Sequence, residues 1–155
     1  MNREASIKAE LLVIGYGNTL RGDDGVGPRV AEAVGNLRLP GVHTLICALL
    51  TPELADPISR AGKVIFVDAA VDAPEEVQWR RLQPNKSSQL MAHAADPHTL
   101  LALARDVFGR APEAWWLTIP AVDLGFHEEF SPKVQRGFVE AVEKIQAFCR
   151  SPQMN

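Results

Sequence analysis

The chain has 155 residues, with 16 Lys and Arg against 19 Asp and Glu, a net charge of −3 and a hydrophobic fraction of 46%. That length suits one domain, residues 1–155, whose core needs no covalent staples, and the charge offers no footprint for a nucleic acid or a membrane surface. No apolar run approaches the roughly 18–20 residues of a membrane span, Met1–Lys8 lacks the apolar stretch of a signal peptide, and two distant cysteines, Cys47 and Cys149, suit a reducing cytoplasm and exclude a disulfide scaffold or a zinc–thiolate site.

Leu11–Ile14 is a buried-type strand that runs into Gly15-Tyr16-Gly17, then Gly22-Asp23-Asp24-Gly25. Val26–Val34 has helical spacing, closed by Gly35 and Pro40, and Val42–Ala48 is a second strand. Pro52–Ala61 reads as a short helix disturbed at Pro57. Lys63–Asp68 is the third buried run, followed by Ala69, Ala70 and a turn at Asp72–Pro74. Val77, Trp79 and Arg81 alternate with Gln78, Arg80 and Leu82, which suits an edge strand. Pro84–Ala95 has little periodicity. Asp96-Pro97 then opens a helix, with aspartate as N-cap and proline at the first helical position. Ala114–Ile119 is a strand with Trp115 and Trp116 on opposite faces. Ser131-Pro132 repeats the cap-then-proline signal before a last helix to about Arg150, leaving Ser151–Asn155 as a frayed tail. This β-α-β-α-β order predicts an α/β fold with a mostly parallel sheet of about five strands and helices on both faces.

In such a sheet, ligands bind beyond the carboxyl ends of the strands. Asp24, on the loop after the first strand, and Asp68, closing the third, could converge there. Gly15-x-Gly17 starts like a dinucleotide fingerprint, but position 20 is Leu20 where a third glycine belongs. The second strand also ends in Cys47-Ala48-Leu49 rather than in an acid, and two carboxylates beside a pyrophosphate would repel it. One of Asp23 and Asp24 could cap the following helix, and Asp68 could form an Asx turn. Capping needs only one acceptor, so a second adjacent acid adds repulsion that a cation would relieve. His93, on the loop before the Asp96-Pro97 helix, and His98, in its first turn, are the imidazoles in range, and spacing alone does not choose between them. Two carboxylates and one imidazole make an oxygen/nitrogen site suited to nickel or zinc. His127-Glu128-Glu129-Phe130-Ser131 lacks the second histidine of a zincin, no G-x-S-x-G elbow is present, and Cys47 and Cys149 suit packing better than attack.

The segment Ile14-Gly15-Tyr16-Gly17-Asn18-Thr19-Leu20-Arg21-Gly22-Asp23-Asp24-Gly25-Val26-Gly27 resembles the nickel–iron hydrogenase maturation endopeptidases. So, in the same order along the chain, do Leu50–Ala55, Val64–Ala69, Ala114-Trp115-Trp116 with Ile119-Pro120-Ala121, and Ser131-Pro132. The likeness is closest to the type serving bidirectional, NAD-linked hydrogenases. It implies a three-layer α/β/α sandwich and a protease that removes the C-terminal extension of the immature hydrogenase large subunit once nickel is in place. It also implies that Asp24, Asp68 and His93 are the catalytic and metal-binding residues, with His93 favoured by its distance to the Trp115-Trp116 strand. The nickel would be carried by the substrate, with no tightly bound metal of the protein's own. The partner would be that large subunit, with no nucleic acid or membrane, and the protein would be a cytoplasmic monomer. A free carboxylate, Asp23, is available as a base. Relatives often carry a polar or acidic residue after the second strand, and Cys47-Ala48-Leu49 departs from that pattern. A non-catalytic nickel-binding chaperone is the rival reading.

Overall fold

A computed structural model of the chain describes residues 9–71, 75–86 and 96–150. The five strands are β1 (Leu11–Tyr16), β2 (Val42–Cys47), β3 (Lys63–Ala70), β4 (Gln78–Leu82) and β5 (Glu113–Pro120), and the helices are α1 (Val26–Asn36), α2 (Ala55–Arg60), α3 (Pro97–Phe108) and α4 (Pro132–Arg150). The strands form one sheet in the order β2-β1-β3-β5-β4. All neighbours are parallel except the edge strand β4, which pairs antiparallel to β5. The three-layer α/β arrangement expected from the sequence is therefore present.

Strand parity sorts the core into two layers, because successive side chains point to opposite faces. Leu11, Val13, Ile65, Val67, Trp115 and Leu117 pack against α1 and α4. Leu12, Ile14, Val64, Phe66 and Ala114 pack against α2 and α3. Trp115 is buried on the first face against Phe148, with ring centroids 4.8 Å apart. Trp116 packs at the second face, as the alternation predicted. The stripe Val26, Val30, Ala31 and Val34 seats α1 on the sheet.

The helix ends carry the chemistry read from the sequence. Asp96 caps α3 by accepting from the Thr99 N–H at 2.8 Å, and Pro97 opens the helix. Gly109 closes it in the left-handed conformation at φ 82°. Two boundaries differ from expectation. A 3-10 turn, Pro52–Leu54, precedes α2, so Pro57 falls in the first turn of that helix. Its missing N–H costs nothing there and causes no disturbance. Strand β3 continues past Asp68 to Ala70, because Ala69 and Ala70 stay in register with Ile119 and Pro120. Asp68 is therefore a strand residue rather than an Asx turn. The expected turn at Asp72–Pro74 and the tail Ser151–Asn155 lie outside the described residues. No described helix is long and apolar enough to cross a membrane.

Candidate functional site at the carboxyl edge of the sheet

The chain leaves β1 through α1, on one face, to reach β2, and crosses through α2, on the other face, to reach β3 on the opposite side of β1. The strand order thus switches direction between β1 and β3, and a crevice opens beyond their carboxyl ends. The loop after β1 enters it as a 3-10 turn, Gly22–Gly25, that holds both Asp23 and Asp24.

Asp24 is fixed by its own loop: its Oδ2 accepts from the Asn18 N–H at 2.7 Å. Gly17, at φ 145°, lies so close to the Asp24 carbonyl that any Cβ there would collide with it. The glycines that look like a phosphate cradle therefore serve to bring Asp24 against the end of β1. Asp68 shares a sheet face with Tyr16, each two residues on from the core pair Phe66 and Ile14. Burial pushes the Asp68 carboxyl up to about 6. Hydrogen bonds from the Tyr16 side chain and the Ala69 N–H oppose that rise, and the negative charge of Asp24 adds to it. The charge of Asp24 thus reaches Asp68 across the end of the sheet. The Tyr16 hydroxyl is raised far above the usual tyrosine range, first by burial and then by the charge of Asp68 and the bond to it, so it stays protonated and donates. Asp96, at the head of α3, adds a further negative charge on Tyr16.

Asp23 behaves quite differently. It is fully buried and caps neither the turn nor α1, whose entrance has no side-chain cap. Its Oδ2 accepts from the N–H groups of Val122 and Asp123, at 2.7 and 2.8 Å, and from Ser131 Oγ at 2.9 Å. Its Oδ1 accepts from the Ser131 N–H at 2.8 Å. Burial alone would raise its carboxyl, but these bonds outweigh it and hold the group below the usual aspartate value. The expected helix cap, and a free carboxylate able to act as base, are both corrected: Asp23 is a tie that holds residues 122–131 against the turn. Ser131 Oγ in turn accepts from the Val134 N–H in the first turn of α4, at 3.3 Å.

The third expected ligand, His93, lies outside the described residues. Among the described residues, no group of three or more His, Cys, Asp or Glu has metal-holding geometry. His98 stands in the first turn of α3, half-buried, with its ring edge on Trp116 at a centroid distance of 5.9 Å. Its Nδ1–H donates to the Gln83 carbonyl at 2.8 Å, which leaves Nε2, the lone-pair donor of the neutral ring, without a hydrogen-bond partner among the described residues. His127 pairs with Asp123, Nε2 to Oδ2 at 3.0 Å, within the loop that Asp23 holds. Burial raises the Cys47 thiol, with help from the charge of Glu53, and burial likewise raises the Cys149 thiol against the opposing Arg150. Neither is an activated nucleophile. Tyr16 was missed from the sequence, although its even spacing from Leu12 and Ile14 puts it on the same face as Asp68.

The sequence matches no protein-family model and no curated protein. The structure does resemble solved structures. The hydrogenase maturating endopeptidase HybD from E. coli superposes with a TM-score of 0.69 at 24% identity, over 93% of this chain and 94% of that one. The NiFe hydrogenase maturation protease HycI from Thermococcus kodakarensis KOD1 gives 0.72 at 22% identity, over 94% and 96%. The hydrogenase 2 maturation peptidase from Thaumarchaeota archaeon SCGC_AB-539-E09 gives 0.66 at 26% identity, over 89% and 96%. The chain therefore has the fold of these proteases along almost its whole length.

Proposed function

We propose that this protein is a hydrogenase maturation endopeptidase that removes the C-terminal extension of an immature nickel–iron hydrogenase large subunit. The observation that carries this reading is the reach of Asp24's charge to the buried Asp68 at the switch point of a fold shared with proteins named for that activity. The nickel is substrate cargo, already mounted in the precursor, and the chain holds no tightly bound metal of its own. Asp24 and Asp68 complete its coordination together with an imidazole, which we assign to His93. His98, whose Nε2 has no partner among the described residues and whose ring lies beside Trp116, comes into the same test.

In this mechanism the metal locates the scissile peptide and polarises its carbonyl or activates water. The water oxygen bonds to the carbonyl carbon, the C–N bond breaks, and the departing amine takes up a proton. Two carboxylates without a cation repel one another and leave the peptide unplaced. Cleavage therefore becomes a checkpoint on nickel insertion. The motif segments favour a partner of the bidirectional, NAD-linked type, and the protein acts as a cytoplasmic monomer that docks transiently.

A nickel-binding chaperone that docks on the precursor without cutting it is the alternative, and mass spectrometry of the precursor after incubation separates the two. The endopeptidase reading expects the precursor to lose the mass of its extension. An unchanged mass with stable co-elution supports the chaperone. In the same assay, His93→Ala and His98→Ala show which imidazole is needed: abolished cleavage with His98→Ala and full cleavage with His93→Ala would replace His93 in the proposed set.

A further inference from the structure

The edge strand β4 carries two arginines with different fates. Arg81 faces α4, lies over Trp115 at 5.1 Å and bonds Glu113 Oε2 through Nη2 at 3.0 Å. Arg80 faces the other way. Its guanidinium lies over the Trp116 ring at 5.3 Å, and it has no carboxylate partner among the described residues. Asp68, Ala70, Gln78, Arg80, Trp116 and Thr118 line one cavity of about 390 Å³. Asp68 lines the same cavity but forms no ion pair with Arg80.

A guanidinium held over an aromatic face keeps its planar fork of N–H donors, which matches the two oxygens of a carboxylate. The contact with Trp116 also restrains the Arg80 side chain before any ligand arrives, which lowers the ordering cost of binding. Asp68 and Arg80 stand on strands separated only by β5, about two strand spacings apart and two residues out of register, roughly 12 Å in all. An extended peptide covers that distance in about three residues.

We propose that Arg80 is a specificity-determining residue: it receives the side-chain carboxylate of an Asp or Glu lying within about three residues of the bond that is held at Asp68. This rests on the endopeptidase reading above for the identity of the peptide. The carboxylate enters the cavity along Ala70 and Thr118 and pairs with the in-plane edge of the guanidinium, while Trp116 holds the guanidinium from behind.

The test is a titration of the full chain with N-acetylated, amidated alanine-based hexapeptides carrying a single Glu, Gln or Lys, followed by the NMR signal of the Arg80 Nε–H. The Glu peptide is expected to bind at least about tenfold more tightly than the Gln peptide, as a charge-assisted bond requires, and the Lys peptide is expected not to bind. Arg80→Gln is expected to abolish the preference, read from backbone amide shifts around the cavity, and Arg80→Lys to retain only part of it. Equal affinity for the Glu and Gln peptides, or a Glu preference that survives Arg80→Gln, overturns the assignment. Because binding is read without cleavage, the two claims fail separately. A chain that prefers Glu peptides but never shortens a precursor refutes only the endopeptidase reading. Cleavage without any Glu preference refutes only the role of Arg80.

Discussion

Asp23 and Asp24 are neighbours in the chain with opposite environments, and substitutions should separate them. Asp23 accepts four hydrogen bonds in a fully buried position. Asp23→Asn sets an NH2 group against donors, and about 3 kcal/mol of stability is expected to be lost in urea denaturation. Since the folded state depresses this carboxyl, its stabilising contribution is complete above the ordinary aspartate pKa and disappears as pH falls through the lower, folded value. Asp68 has the reverse sign. Its folded value of about 6 lies above the ordinary one, so the native state holds the proton more tightly than the unfolded chain. Its contribution is greatest in acid and is lost as pH rises through about 6. Asp68→Asn is therefore expected to stabilise the protein by about 1–3 kcal/mol at pH 7.5, less at pH 5, while abolishing processing. A variant that is destabilised at pH 7.5 would contradict this account of Asp68. For the wild type, processing should decline below about pH 6, where the proton competes with metal for this carboxylate. The importance of the acid pair was legible in the sequence, but its division of labour was not. The partners of Asp23 lie about a hundred residues away, on a loop whose approach no local pattern encodes.

The elements explain why the first loop carries so many glycines. α1 begins directly on the ends of β1 and β3, where a Cβ on Gly27 would strike the Val67 carbonyl and one on Gly15 the Gly27 carbonyl. Gly27→Ala is expected to cost about 2–3 kcal/mol through overpacking, measured as a shifted urea midpoint with an unchanged slope. An unshifted midpoint would show that the helix can move aside. Element types were readable because hydrophobic period and cap residues agree, as at Asp96-Pro97 and at Leu11–Ile14. Boundaries were less so. The extension of β3 to Ala70 depends on β5 running beside it through Pro120, and the harmless position of Pro57 depends on a 3-10 turn ending at Leu54. The edge character of β4 was visible in its alternation and its charges, and exposed charge on an edge strand also discourages pairing with other chains.

At the scale of the whole molecule, the alternation of strands and helices implied a parallel sheet, but the order β2-β1-β3-β5-β4 fixes where the chemistry sits. That order opens a crevice between β1 and β3, brings Asp24 and Asp68 within electrostatic reach, and sets Trp116, His98 and Arg80 along one continuous face beside them. Parity along each strand could have found Tyr16, whereas the adjacency of β3, β5 and β4 could not be read from local pattern.

The central claim is that these carboxylates read nickel in a precursor before a peptide bond is cut. The most direct measurement is the mass of a hydrogenase large-subunit precursor, nickel-loaded or nickel-free, after incubation with the purified protein. Loss of the C-terminal extension from the nickel-loaded form alone, abolished by Asp24→Ala, is the expected result. Equal shortening of both forms, or full activity of Asp24→Ala, would contradict the account.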